Sequence, residues 1–134
     1  LEMSYPSPIQ PDKNATDRDY NAALTFMMEH IDRFSICAGS HNESSAALLI
    51  QLMEEKKIPK NDQRVYFSQL LGMSDHISFN LSHAGYNVAK YVPYGPVKDV
   101  LPYLIRRADE NTSVAGQTSR ELSLLNKERT RRKK

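Results

Sequence analysis

The sequence predicts an α/β fold in which a parallel sheet is built from βα units with flanking helices. Three observations carry the prediction. Apolar residues fall at helical spacing in some segments and in short β-rich runs in others, and the two kinds alternate along the chain. Neighbouring strand-like runs are separated by segments long enough to hold a helix, which suits parallel crossovers rather than tight hairpins. Finally, 134 residues with 40% hydrophobic and 25% charged side chains make one ordinary globular domain, which excludes wholesale disorder and collagen-like repeats.

Residues 1–15 read as an extended loop, because Ser4–Ala15 holds three prolines and no apolar periodicity. Thr16 or Asp17 is expected to cap the first helix, where Tyr20, Ala23, Leu24, Met27, Met28 and Ile31 recur at helical spacing. Phe34–Ala38 is short, apolar and ended by Gly39, which predicts a buried strand. Asn42 or Ser44 opens the next helix, with Ala46, Leu49, Ile50 and Met53 on its apolar side and Pro59 beyond its end. Arg64–Phe67 is the second strand, with Gly72 marking its end, and Ser74–Ala84 is a short helix stopped by Gly85. Asn87–Val92 is the third strand and runs into Pro93 and Gly95. A helix from about Pro96 to Glu110 follows, and a basic C-terminal helix or tail occupies residues 118–134.

Three parallel strands leave both sheet edges unpaired. The length is also below the roughly 200 residues of the smallest (β/α)8 barrel. The pattern fits either a small open α/β sandwich or a part of something larger, and the open edges favour the second. In both architectures function gathers at the C-terminal ends of the strands. Those ends are Gly39–Asn42, Gln69–Met73 and Pro93–Gly95, which are expected to line one rim.

Several classes are set aside by composition. No apolar run approaches the roughly 20 residues needed to span a bilayer. The N-terminus has no basic start and no apolar run, so no secretory leader is expected. Cys37 is the single cysteine, which rules out an internal disulfide and suits a reducing compartment or no redox constraint. The net charge of +2 hides a basic end: residues 118–134 carry +5 and the remainder −3. Such an end suits a nucleic acid, an anionic membrane surface or an acidic neighbour, or is simply a solvated helix with a basic tip.

Few residues are placed for chemistry. His41 follows a strand and precedes a helix start, where backbone and side-chain donors can meet a phosphate or a polar ring. The plainer reading is a turn in which Asn42 only caps the helix. No nucleophile is set by motif to pair with this histidine, and the four histidines show no metal spacing, so neither nucleophilic catalysis nor a metal site is expected. On the helix after Pro96, Val97, Val100, Leu101, Leu104, Ile105 and Ala108 share one apolar sector expected to be buried. Tyr103, Arg106 and Arg107 lie on the opposite side, and adjacent guanidiniums beside a tyrosine can grip a carboxylate or phosphate. A solvated face with an Arg106–Glu110 pair is the competing reading. Pro102 sits inside this helix and should bend it or break a hydrogen bond.

Longer stretches carry a resemblance. Phe67–Met73 (FSQLLGM), Lys90–Pro96 (KYVPYGP) and Tyr103–Asn111 (YLIRRADEN) closely resemble the C-terminal part of proline dehydrogenase. Ala38-Gly39-Ser40-His41-Asn42 is similar to that family's Ala-Thr-His-Asn turn, with Gly39 and Ser40 as departures. The resemblance implies the C-terminal βα units of a distorted (β/α)8 barrel. It also implies FAD-dependent oxidation of L-proline to 1-pyrroline-5-carboxylate, with electrons passed to a quinone. No residue is assigned a catalytic role, because the hydride passes directly to the flavin. For substrate binding it points to Arg106 and Arg107 on the carboxylate, with Tyr91, Tyr103 and Leu70 around the ring. For the cofactor it points to Lys13 and Thr16 in the loop before the first helix, near the adenosine end. Ser40, His41 and Asn42 fall against the flavin or its phosphates, and Glu110 and Ser113 brace the last helix and the ribose region.

The same resemblance places the first half of the barrel outside this sequence, with its flavin-binding Arg and the Lys and Asp of the substrate pocket. The chain is therefore expected to be a fragment, inactive alone and prone to self-association. It is expected in the cytoplasm, peripheral on a bacterial inner membrane through the basic end, or in the mitochondrion of a eukaryote, with no nucleic acid as partner. The alternative function is a non-catalytic α/β module that binds an acidic partner, such as RNA or anionic lipid, through the Arg pair and basic tail.

Overall fold

The structure, a computed structural model, describes residues 9–110, 122–123, 126–127 and 129–132. It divides into two units, Leu1–Val92 and Pro93–Lys134.

The first unit opens with α1 (Lys13–Glu29). Asp12 caps it, accepting the Ala15 backbone N–H at 2.7 Å, and Thr16 donates its hydroxyl to the Asp12 carbonyl at 3.1 Å. The expected cap at Thr16 or Asp17, and an extended loop reaching residue 15, are corrected by this arrangement. Pro11 cannot continue a helix upstream, and Asp12 is the first side chain after it with an oxygen in reach of an unpaired helix donor. Lys13 and Thr16 therefore sit in the first turn of α1, not in a loop.

The remaining elements are β1 (Ile36–Gly39), α2 (Glu43–Glu55), β2 (Val65–Leu70), α3 (Asp75–His83) and β3 (Val88–Tyr91). The strands lie in the order β1-β2-β3 and both pairs are parallel, as the alternation predicts. β2 runs three residues past its expected end at Phe67, pairing through Leu70 with Tyr91. Ser68 and Gln69 look like loop residues in isolation. Gln69 belongs to the strand because its buried amide is satisfied from both sides, donating to the Ser40 carbonyl at 3.3 Å and accepting from the Ser78 hydroxyl at 2.9 Å.

One face of the sheet is covered. Ile36, Ala38, Val65 and Phe67 join Leu24 and Met28 of α1, Leu49 and Met53 of α2, and Ile77 and Leu81 of α3 in a single core. The strands alternate, so Cys37, Gly39 and Tyr66 on the other face are exposed. The first strand was expected to be buried outright; it is buried on one side only, and Phe34 lies outside it and exposed.

Two helices stop in the same way. After α3, Gly85 (φ 93°) takes the left-handed position, with Tyr86 donating to the Leu81 carbonyl and Gly85 to that of Ser82. After α2, Ile58 donates to Met53 and Lys57 to Glu54, but the left-handed residue is Lys57 (φ 55°). At the N-terminal end of the sheet, Asp62 accepts from the Arg64 backbone at 2.9 Å and from its guanidinium at 2.9 and 2.8 Å. Asn87 donates its amide to the Asp62 carbonyl at 2.8 Å, which ties β3 to the same turn.

In the second unit α4 spans Val97–Glu110 with Pro102 inside it. The apolar sector expected to be buried is largely exposed among the described residues: Val97 (75%), Leu101 (50%) and Ile105 (52%) are open to solvent, while Val100 is half-buried.

Candidate functional site

Parallel pairing aligns the strand ends of the first unit at one edge of the sheet. Beyond β1, the Ser40 backbone donates to the Ser68 carbonyl at 3.2 Å, and the Ser40 hydroxyl accepts from the Asn42 backbone at 3.1 Å. The Asn42 side chain accepts from the Ser44 backbone at 2.9 Å and so caps α2. Asp17 lies against the Asn42 amide and pairs with Lys13; both contacts hold its carboxyl below the usual range, the Lys13 bond most. The first turn of α1, with Lys13 and Thr16, thus adjoins the Ser40–Asn42 turn.

His41, between those two residues, is half-buried and its Nδ1 lies 3.0 Å from the Ser74 hydroxyl. Burial, and after it the charge of Lys90, pushes its pKa down, so the ring is neutral at pH 7. Lys90 stands on the helix side of β3 and donates to the Met73 carbonyl and the Asp75 carboxylate, each at 2.8 Å. Those two residues flank Ser74, whose backbone is left-handed (φ 50°, ψ 42°). Glu43 at the start of α2 meets His76 in the first turn of α3 at 2.8 Å.

Leu70 and Tyr91 are register partners at the C-terminal edge of the sheet, on its uncovered face. Tyr91 is 52% exposed. In the second unit, the Arg107 guanidinium lies 5.3 Å from the Tyr103 ring centre, one helical turn away, and Arg106 is exposed. Glu110 closes α4; its side chain and all of Ser113 lie outside the described residues.

A profile of the proline dehydrogenase family matches residues 1–120. The chain belongs to the proline dehydrogenase family. Mitochondrial proline dehydrogenase 1 of Homo sapiens is 48% identical to it over 127 residues, 92% of this chain and 21% of the relative. The hydroxyproline dehydrogenase of Xenopus laevis is 45% identical over 135 residues, 98% of this chain and 29% of the relative. The crystal structure of proline utilization A from Bdellovibrio bacteriovorus, inactivated by N-propargylglycine, matches with a TM-score of 0.73 and 30% identity, covering 81% of this chain and 11% of that one. The chain therefore spans 21% and 29% of the two curated relatives. Its three parallel strands with flanking helices are βα units of the barrel type, as the resemblance implied.

Within the first unit the structure brings Lys13, Thr16, Ser40, His41 and Asn42 to one edge, which Leu70 and Tyr91 share. Tyr103, Arg106 and Arg107 form a second group on α4, in the other unit. Sequence reasoning missed Asp17 as a link, Ser74 as the partner of His41, and Lys90 as the clamp beside it. Ser74 carried a signal, since it stood at a helix start one segment after a strand end. Nothing in the sequence joined it to His41, 33 positions away.

Proposed function

We propose that this chain contributes part of the substrate and cofactor site of an enzyme that oxidises L-proline to 1-pyrroline-5-carboxylate with FAD and passes the electrons to a quinone. The observation that carries the proposal is the family match across residues 1–120, together with the polar turn at the strand ends of the first unit. Family membership favours this reading over a non-catalytic module that binds an acidic partner.

The donor set fits a flavin nucleotide. A neutral imidazole, a hydroxyl and an amide stand at the start of α2, where the helix dipole favours anionic groups. Ser40, His41 and Asn42 would hold the flavin or its phosphates. Lys13 and Thr16 would face the adenosine end, and Glu110 and Ser113 the ribose region. When bound, FAD supplies the acceptor for the hydride that leaves the ring carbon next to nitrogen. Arg106 and Arg107 fix the proline carboxylate by charge-assisted hydrogen bonds. Leu70, Tyr91 and Tyr103 wall the ring and exclude water, so that the reacting carbon is held in one position. We assign the protein to the mitochondrion, as the human relative's name indicates for that protein. The basic C-terminal segment is suited to an anionic membrane surface, next to a quinone acceptor.

The test is proline-dependent reduction of a quinone-like dye by a full-length protein that contains this segment, with hydroxyproline assayed in parallel because hydroxyproline dehydrogenases match the chain at similar identity, 45% and 46%. Turnover of proline with a bound flavin spectrum is expected. Absence of flavin, or binding of RNA with steep salt dependence, would overturn the proposal.

A further inference from the structure

We infer that Ser74 is a positioning residue for His41: its hydroxyl donates to Nδ1, so the neutral ring carries its proton on Nε2 and presents that N–H on its far side. The inference rests on the proposed cofactor role of His41 only for what the N–H meets.

The direction of the 3.0 Å contact follows from which proton has somewhere else to go. Ser74 is only 7% exposed. Among the described residues its hydroxyl has one neighbour within hydrogen-bond distance, the His41 Nδ1. Were Nδ1–H the donor, the hydroxyl proton would be buried without an acceptor, an arrangement that costs about 1–3 kcal/mol. With the serine donating, Nδ1 and the hydroxyl are both satisfied. Nε2 has no partner among the described residues, so its N–H is available to a bound acceptor, such as a phosphate or a ring carbonyl.

Three features hold the serine to this task. Ser74 occupies the N-cap position of α3 yet makes no capping bond with its side chain. A serine at that position normally turns its oxygen to the helix, and here the hydroxyl goes to His41 instead. Its backbone is left-handed, a conformation that glycine or asparagine adopts more easily. Lys90 fastens the residues on either side, donating to the Met73 carbonyl and to Asp75. The same ammonium disfavours a charged imidazole, which would have to donate through Nδ1 and displace the serine proton.

The test uses the 134-residue chain labelled with ¹⁵N-histidine and long-range ¹H–¹⁵N spectra at pH 7.5. The His41 signals are assigned by their loss in His41→Gln. The wild type is expected to show a single Nε2–H tautomer for His41. Ser74→Gly relieves the left-handed backbone, so its melting temperature is expected to hold or rise while both tautomers of His41 appear. Ser74→Asn tolerates the same backbone and offers an amide N–H, so it is expected to restore the single tautomer. An Nδ1–H tautomer in the wild type, or identical spectra in wild type and Ser74→Gly, would overturn the inference. In the full-length protein, Ser74→Gly is expected to weaken FAD retention. A tautomer change with unaltered FAD retention would uphold the positioning of His41 and remove its cofactor role.

Discussion

Arg107 and Tyr103 sit one turn apart on α4, with the ring 5.3 Å from the guanidinium carbon, close enough to orient the side chain. Replacing Arg106 or Arg107 by Met in a full-length protein should chiefly weaken proline binding. A charge-assisted hydrogen bond contributes about 1.5–3 kcal/mol, hence a roughly 10- to 150-fold rise in KM. Steady-state kinetics beside the flavin absorbance checks this; loss of flavin with unchanged KM in the remaining holoenzyme would contradict it. Ser45 provides a contrasting residue. It is 2% exposed inside α2, and among the described residues its hydroxyl has no hydrogen-bond partner. Ser45→Ala removes that unsatisfied group and raises helix propensity, so it should stabilise the chain by about 1 kcal/mol in urea denaturation. The residues proposed to bind were partly legible in the sequence. Tyr103, Arg106 and Arg107 emerge from 100° spacing, and His41 from its place after a strand. Ser74 and Lys90 do not, because their roles depend on contacts between segments far apart in the chain, which periodicity cannot encode.

At the scale of elements, the two matched helix ends invite a direct comparison. Gly85 and Lys57 hold equivalent left-handed positions, but only glycine lacks the Cβ that makes this conformation unfavourable. Lys57→Gly should therefore stabilise the chain by about 1 kcal/mol, read as a rise in melting temperature. The Asp62 turn gives a pH dependence. Hydrogen bonds from the Arg64 side chain and backbone hold the Asp62 carboxyl down at about 2, against an ordinary 3.8. Its folded pKa is lowered, so its stabilisation is complete above about pH 4 and is lost as the pH falls towards 2. Because the Arg64 side chain is exposed, solvent screens the pair and the contribution is small. Asp62→Asn keeps an acceptor for the Arg64 backbone and removes the charge. It should lower stability at pH 7 and leave it unchanged near pH 2. The elements themselves were legible, since seven helices and strands follow the order read from apolar spacing. Their limits were less so. Asp12 beat two later cap candidates, and β2 continued through Gln69 because a serine on α3 and a carbonyl beyond β1 satisfy its amide.

Among the described residues both edges of the sheet are unpaired, and much of its second face and of the α4 apolar sector is exposed. A dinucleotide cofactor needs some 70–90% of its surface enclosed, and a chain spanning 21% of its human relative provides a fraction of that enclosure. The 134-residue chain alone should neither retain FAD nor oxidise proline, and it should associate with itself through the exposed edges. Flavin titration, a dye-reduction assay and sedimentation of the purified chain check all three; stoichiometric FAD with turnover would show that the chain, by itself or as an oligomer, builds a complete site. The order of the strands reaches beyond the finished structure. Sheet neighbours are also sequence neighbours, so β2 and then β3 each add to a strand already made. Each parallel pairing waits for a crossover helix to be made first, and contacts of that kind are slow to form. On the ribosome, β2 can settle on β1 while β3 is still in the exit tunnel, so the turn at Ser40 takes shape before Lys90 arrives to fasten the residues around Ser74.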